Sequence, residues 1–187
     1  GYDHRFGKGR EASVTDLKKY SNELNFVVDE IDAQEIEKIA ISSSKIRNSI
    51  NEGNLETTKV YLGRFFSLTG KVIRGDGLGK QIDYPTANIK IEENYKIIPK
   101  DGVYYIRTKI DNKLYNGMMN IGHRPTIGAK EKSIEVNLFK FNRDIYDRVI
   151  SIDVVVKIRD EKRFSSIDAL KAQLVKDEKH CLKLINK

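Results

Sequence analysis

Ahead of Gly63, apolar residues recur at three- and four-residue intervals over Glu11–Tyr20, Ile46–Asn51 and Leu55–Leu62. That spacing predicts three helices, with one short strand at Phe26–Val28. Beyond Gly63 the period drops to two. Ser67–Ile73, Ala87–Ile91, Val103–Ile110, Leu114–Ile121, Ile134–Phe141 and Val149–Ile158 each alternate apolar and polar positions, and read as strands. Asp111-Asn112 supplies a tight turn between the third and fourth, which predicts a hairpin. The last two strands are expected to pair around Asn142–Asp147. Tyr104, Ile106, Thr108 and Ile110 share one strand face, and Ile134, Val136 and Leu138 another. Successive strands with no helix between them favour an antiparallel barrel or sandwich over a parallel sheet.

The chain closes on a helical stripe of Ile167, Leu170, Leu174, Cys181 and Ile185, introduced by Ser165 with Asp168 three positions on, the spacing of a capping box. The expected fold class is therefore α+β, a small antiparallel β-barrel with a C-terminal helix lying on its wall. The residues before Gly63 carry too few strands to close a sheet, and read as an incomplete fragment. The expected domains are 1–62 and 63–187.

Composition narrows the function classes. The 34 Lys and Arg against 27 Asp and Glu give a net charge of +7. The lysines are spread along the chain and alternate with acids, which favours a solvated basic surface over a nucleic-acid interface. No run approaches the roughly 18 apolar residues of a membrane span. No charged-then-apolar leader opens the chain, and its one cysteine, Cys181, sits in an apolar stripe; both suit the cytoplasm. The 3 histidines are too scattered for a zinc site.

Three stretches carry candidate chemistry. Gly75, Gly77 and Gly79 alternate in Gly75–Lys80, and their N–H groups could wrap an anion beside the charge of Lys80. The same glycines would equally serve a flexible turn. In Pro85-Thr86-Ala87-Asn88, Thr86 and Asn88 fall on one side of an extended segment, about 7 Å apart. A hydroxyl and an amide are hard oxygen donors of the kind Mg²⁺ takes, or simply polar residues on a wet strand face. Glu135, opposite in face to Ile134 and Val136 and near Phe139 and Phe141, could take a proton from a substrate hydroxyl, or face solvent.

Taken together, these stretches resemble the riboflavin kinase (flavokinase) module. So do Gly70-Lys71-Val72, Asp101-Gly102-Val103-Tyr104, Asn120-Ile121-Gly122-His123-Arg124-Pro125-Thr126 and Ile158-Arg159-Asp160-Glu161-Lys162-Arg163-Phe164, in that family's order, from about Gly63 to Lys187. Upstream, Gly1-Tyr2-Asp3-His4-Arg5-Phe6-Gly7 and Ile41–Arg47 resemble the later part of an FMN adenylyltransferase domain, which precedes the kinase in bacterial bifunctional FAD synthetases. There Ser42, Ser43 and Arg47 would be a remnant of a phosphate site at a helix start, where simple N-capping is the plainer use. The H-x-G-H signature of that domain is absent from this sequence, so adenylylation of FMN to FAD is expected only of a full-length protein.

The resemblance implies ATP-dependent phosphorylation of riboflavin at the ribityl 5′-hydroxyl, giving FMN and ADP. Thr86 and Asn88 would hold Mg²⁺, and Gly75, Gly77, Gly79, Lys80 and Thr86 the nucleotide. Glu135 would be the general base, with Phe139, Phe141 and Arg159 at the flavin. Leu78, Asp83, Lys140 and Asp147 depart from the family pattern, glycine being usual at the second and last of these. Two readings compete: a basic barrel that grips nucleic acid, and a flavin-binding protein without catalysis. No nucleic-acid or membrane partner is expected. Oligomeric state is not legible.

Overall fold

The computed structural model describes residues 5–30, 35–36, 39–75, 79, 82–123 and 132–185. They form two compact units, Gly1–Ser43 and Ser44–Lys187. The first holds helix α1 (Val14–Leu24) and a two-stranded sheet of β1 (Glu35–Ile36) and β2 (Ile39–Ala40). Asp16 starts α1 by accepting from the Ser13 N–H at 2.7 Å and its hydroxyl at 2.8 Å, which holds its carboxyl below the ordinary range. The strand expected at Phe26–Val28 is not formed. Val27 is 93% exposed, and this β-prone run pairs with no strand among the described residues.

In the second unit, helices α2 (Ser43–Asn51) and α3 (Leu55–Leu62) precede strands β3 (Phe66–Ile73), β4 (Ala87–Lys90), β5 (Gly102–Ile110), β6 (Lys113–His123), β7 (Lys132–Leu138) and β8 (Val149–Arg159). Helix α4 (Ile167–Ile185) ends it. Asn54 caps α3 by accepting from the Thr57 N–H at 3.1 Å, and Leu55 packs into the barrel's interior cluster. The compact unit thus begins at Ser44, ahead of the change in periodicity at Gly63.

The six strands close into an antiparallel barrel in the order β3-β4-β7-β6-β5-β8. Asp111 and Asn112, both at positive φ (49° and 62°), turn β5 into β6 as the sequence predicts. The expected pairing of the last two strands is not found. β7 is flanked by β4 and β6, while β8 closes the ring between β3 and β5. Ser67 donates to Asp153 at 2.7 Å across the β3–β8 seam. Leu68, Val72, Ile89, Tyr104, Ile106 and Met119 are among the residues filling the interior.

A second cluster lies outside the barrel, where Val103, Tyr105 and Met118 meet Cys181 and Leu174 of α4. Burial pushes the Cys181 thiol up to about 12. Only the middle of the expected α4 stripe is covered: Ile167 is 55% exposed and Ile185 37%. The helix starts one residue later than its spacing suggests, with the Ser166 hydroxyl, not Ser165, accepting from the Ala169 N–H at 3.1 Å.

Candidate active site on the outer barrel wall

Strand alternation decides which way the candidate residues face. Ala87 and Ile89 join the interior cluster, so Thr86 and Asn88 turn to the outer wall. On β7, Ile134 and Val136 point in and Glu135 and Asn137 out. Register then brings the pieces together. Asn88 pairs with Glu135, and Glu135 with Asn120 of β6. The Thr86 hydroxyl donates to Glu135 Oε2 at 3.3 Å. Asn137 Nδ2 donates to the Pro85 carbonyl at 2.8 Å, which fixes the start of the Thr86 segment against β7.

Gly75 and Gly79 lie against this group. A Cβ at Gly75 would overlap the Asn88 amide nitrogen, and one at Gly79 would overlap the Tyr84 carbonyl and crowd the Thr86 hydroxyl. At Gly79 the obstacle is backbone, so close approach requires glycine there; at Gly75 a side chain would displace the Asn88 amide from its place. Gly77, Leu78 and Lys80 lie outside the described residues.

Two cavities meet at Thr86, which lines both. The first, about 230 Å³, lies between the outer wall and α4. Glu135, Asn120 and Asn137 stand at its polar wall, and Tyr84, Met118, Phe164, Leu170 and Leu174 give apolar sides. The second, about 250 Å³, is framed by Pro85, Leu138, Phe141, Arg143 and Tyr146. It holds no Glu135.

Arg159 lines the first cavity, but its guanidinium is committed to Asp177 of α4, at 2.8 Å from Nη2. Asp177 is only 2% exposed and also accepts from Gln173 at 2.8 Å. Tyr84 is tied to the same helix, donating to Glu178 at 2.8 Å. Burial and that bond push its hydroxyl up to about 12, so it stays a protonated donor.

The two phenylalanines are not brought to the first cavity. Phe139 packs in the outer cluster and Phe141 against the interior one, lining the second cavity instead. The chain turns between them at Lys140, whose φ is 54°, so strand alternation stops at Leu138. Facing different layers, they also make no stacking strip of the kind a single-strand-binding barrel uses. Of the residues that do line the first cavity, Asn120, Glu161 and Phe164 fall within the family-like stretches Asn120–Thr126 and Ile158–Phe164, and Leu170 within the α4 stripe, but no single-residue role marks them in the sequence. Ser42 and Ser43 sit at the start of α2 and are exposed, as is Arg47 in its second turn.

A family profile described as riboflavin kinase matches residues 62–185. The chain belongs to the riboflavin kinase family. A second profile, FAD synthetase, matches residues 1–45, close to the extent of the first compact unit. Among curated relatives, the bifunctional riboflavin kinase/FMN adenylyltransferase of Listeria monocytogenes is 39% identical over 95% of this chain and 56% of its own length. The protein of that name in Bacillus subtilis is 40% identical over 76% of this chain and 46% of its own. The chain thus spans about half the length of the curated relatives it matches. A crystal structure titled macrolide-efflux protein, from Streptococcus pneumoniae, superposes with a TM-score of 0.85 at 35% identity, covering 96% of this chain and 57% of that one. Among the described residues of this family member, no helix is long and apolar enough to cross a membrane. Among the same residues, no group of three or more His, Cys, Asp and Glu side chains could hold a metal ion.

Proposed function

We propose that this chain transfers the γ-phosphate of ATP to the ribityl 5′-hydroxyl of riboflavin, with the flavin in the first cavity and the nucleotide in the second. One observation carries the reading: Thr86 lines both cavities, and its hydroxyl touches Glu135, which lines only the first. A transfer between two bound substrates needs such a junction, with the base on the side of the attacking hydroxyl. The apolar walls of the first cavity suit a flat ring. The second is lined by Arg143, which pairs with Asp111 at 3.0 Å and lies over the Phe141 ring, and by Tyr146, whose ring Arg74 covers; a purine nucleotide would pack against this cationic and aromatic edge.

Glu135 orients the 5′-hydroxyl and takes its proton as the oxygen bonds to phosphorus and the bond to the ADP oxygen breaks. The hydroxyl of Thr86, the amide of Asn88 and the adjacent carboxylate form a set of hard oxygen donors, which fits Mg²⁺ with phosphate oxygens and water completing its shell. Thr86 and Asn88 would hold the ion, which would supply charge neutralisation to the phosphates. Gly75 and Gly79, packed on those two side chains, would lie over the phosphates where they reach Thr86. Ser42, Ser43 and Arg47 would keep a phosphate-binding role only together with the remainder of an adenylyltransferase, so FMN is the product of this chain by itself. The lone buried thiol of Cys181 suits work in the cytoplasm.

The test is turnover. Riboflavin with ATP and Mg²⁺ is expected to give FMN, and Glu135→Gln to lower kcat by roughly 10²–10⁴ with the fold unchanged by circular dichroism. Glu135→Gln at full speed would remove Glu135 from the role of base.

A further inference from the structure

Glu161, in the connector between β8 and α4, lines the first cavity together with Glu135. Its carboxylate occupies the space where a side chain at Gly122 would stand: a Cβ there would overlap Glu161 Oε1 and contact Oε2. Gly122 lies on β6 two residues beyond Asn120, the partner of Glu135. Alternate residues of a strand share a face and lie about 7 Å apart, so the second carboxylate sits one pleat along the outer wall from the rung that carries the base. Arg159, a cation in the same lining, is held by Asp177.

We propose that Glu161 is a specificity residue for the polyol chain of the substrate, its carboxylate accepting hydrogen bonds from the secondary hydroxyls that lie between the reacting 5′ oxygen and the ring. The missing side chain of Gly122 is what admits it. An ionised carboxylate is acceptor-only and can take two hydroxyl donors at once. Its charge-assisted bonds are stronger than those of a neutral amide. The spacing suits this role. A group one pleat from Glu135 reaches the middle of a sugar-alcohol chain whose terminal oxygen is at Glu135. The inference rests on the placement of the flavin in the first cavity.

The test compares riboflavin with 10-(5-hydroxypentyl)flavin, which keeps the terminal hydroxyl and lacks the secondary ones. The whole chain is used, in its unsubstituted form and as Glu161→Gln and Gly122→Ala. Glu161→Gln is expected to lower kcat/KM for riboflavin about 10- to 100-fold and to change it less than about twofold for the hydroxypentyl flavin. Gly122→Ala, which displaces the carboxylate, is expected to reproduce that pattern. Equal effects on the two flavins, or no effect on either, would overturn the proposal. So would a Gly122→Ala chain that discriminates as well as the unsubstituted one. Flavin fluorescence titrations without ATP read the same hydroxyl dependence in affinity. A chain that binds riboflavin but transfers no phosphate therefore fails the kinase reading and still decides this one; a chain that binds neither flavin sinks both.

Discussion

Asp83, Lys140 and Asp147 take the left-handed backbone conformation, with φ of 63°, 54° and 62°. Glycine would adopt it without cost, and the riboflavin kinase resemblance implies glycine at the first and last of these positions. Aspartate tolerates it better than most residues, and each aspartate has found a partner. Asp83 bonds Lys171 of α4 at 2.6 Å, which offsets its charge. Asp147 pairs with Lys71 at 2.9 Å, and that bond holds its carboxyl below the ordinary range. Lys140 has no such tolerance. Lys140→Gly is expected to raise stability in urea denaturation by about 0.5–1 kcal/mol, the relief of the Cβ clash less the added chain entropy. A destabilised variant would show that the lysine side chain contributes more than its backbone costs.

Each element's existence was legible wherever its period was clean. Where local irregularity intervened, its partners and facing were not. β8 is the clearest case. Its alternation places Val154, Val156 and Ile158 on one face with Arg159 opposite. The pairing with β5 contains two register shifts, between Val103 and Tyr104 and between Tyr105 and Ile106. Val154 consequently stays in the interior cluster while Val156 and Ile158 pack outside it. Each bulge inserts a residue and re-aims those after it, and Arg159 ends paired with Val103 at the outer wall, against Asp177. Bulges leave no reliable mark in a run of Val and Ile. The pairing of β7 failed for a related reason: nearness in sequence suggested a hairpin, but barrel closure gives both its edges to other strands. The Arg159–Asp177 pair fastens α4 over the first cavity, and removing one member leaves a largely buried charge unpartnered. Asp177→Ala is expected to cost about 3 kcal/mol of unfolding free energy. A loss under about 1 kcal/mol in chemical denaturation would mean that the helix is held by its apolar contacts with Val103, Tyr105 and Met118 and by its bonds to Tyr84 and Asp83, with the Arg159 pair adding little.

At the scale of the molecule, the proposed reactive group is legible in the sequence and its surroundings are not. Asn88 on β4 and Glu135 on β7 are register partners, and Thr86 immediately precedes β4, so the two-residue period settles their common face and the barrel's register completes the group. The cavity walls come from the 82–84 turn, β6, the 161–164 connector and α4, which converge only once the barrel has closed and the helix has docked. No local pattern encodes that convergence: Phe139 and Phe141 follow Glu135 closely in sequence yet do not line the first cavity, while Tyr84 and Phe164, distant in sequence, do. Thr86 is the proposed point where two substrates meet, one on each side of it. A crystal structure of the chain with riboflavin, ADP and Mg²⁺ tests this most directly. It is expected to show the 5′-hydroxyl within about 3 Å of Glu135 and the ADP phosphates reaching Thr86 from the cavity walled by Arg143 and Tyr146. Both ligands sharing one cavity, or a ribityl chain that ends away from Glu135, would contradict it.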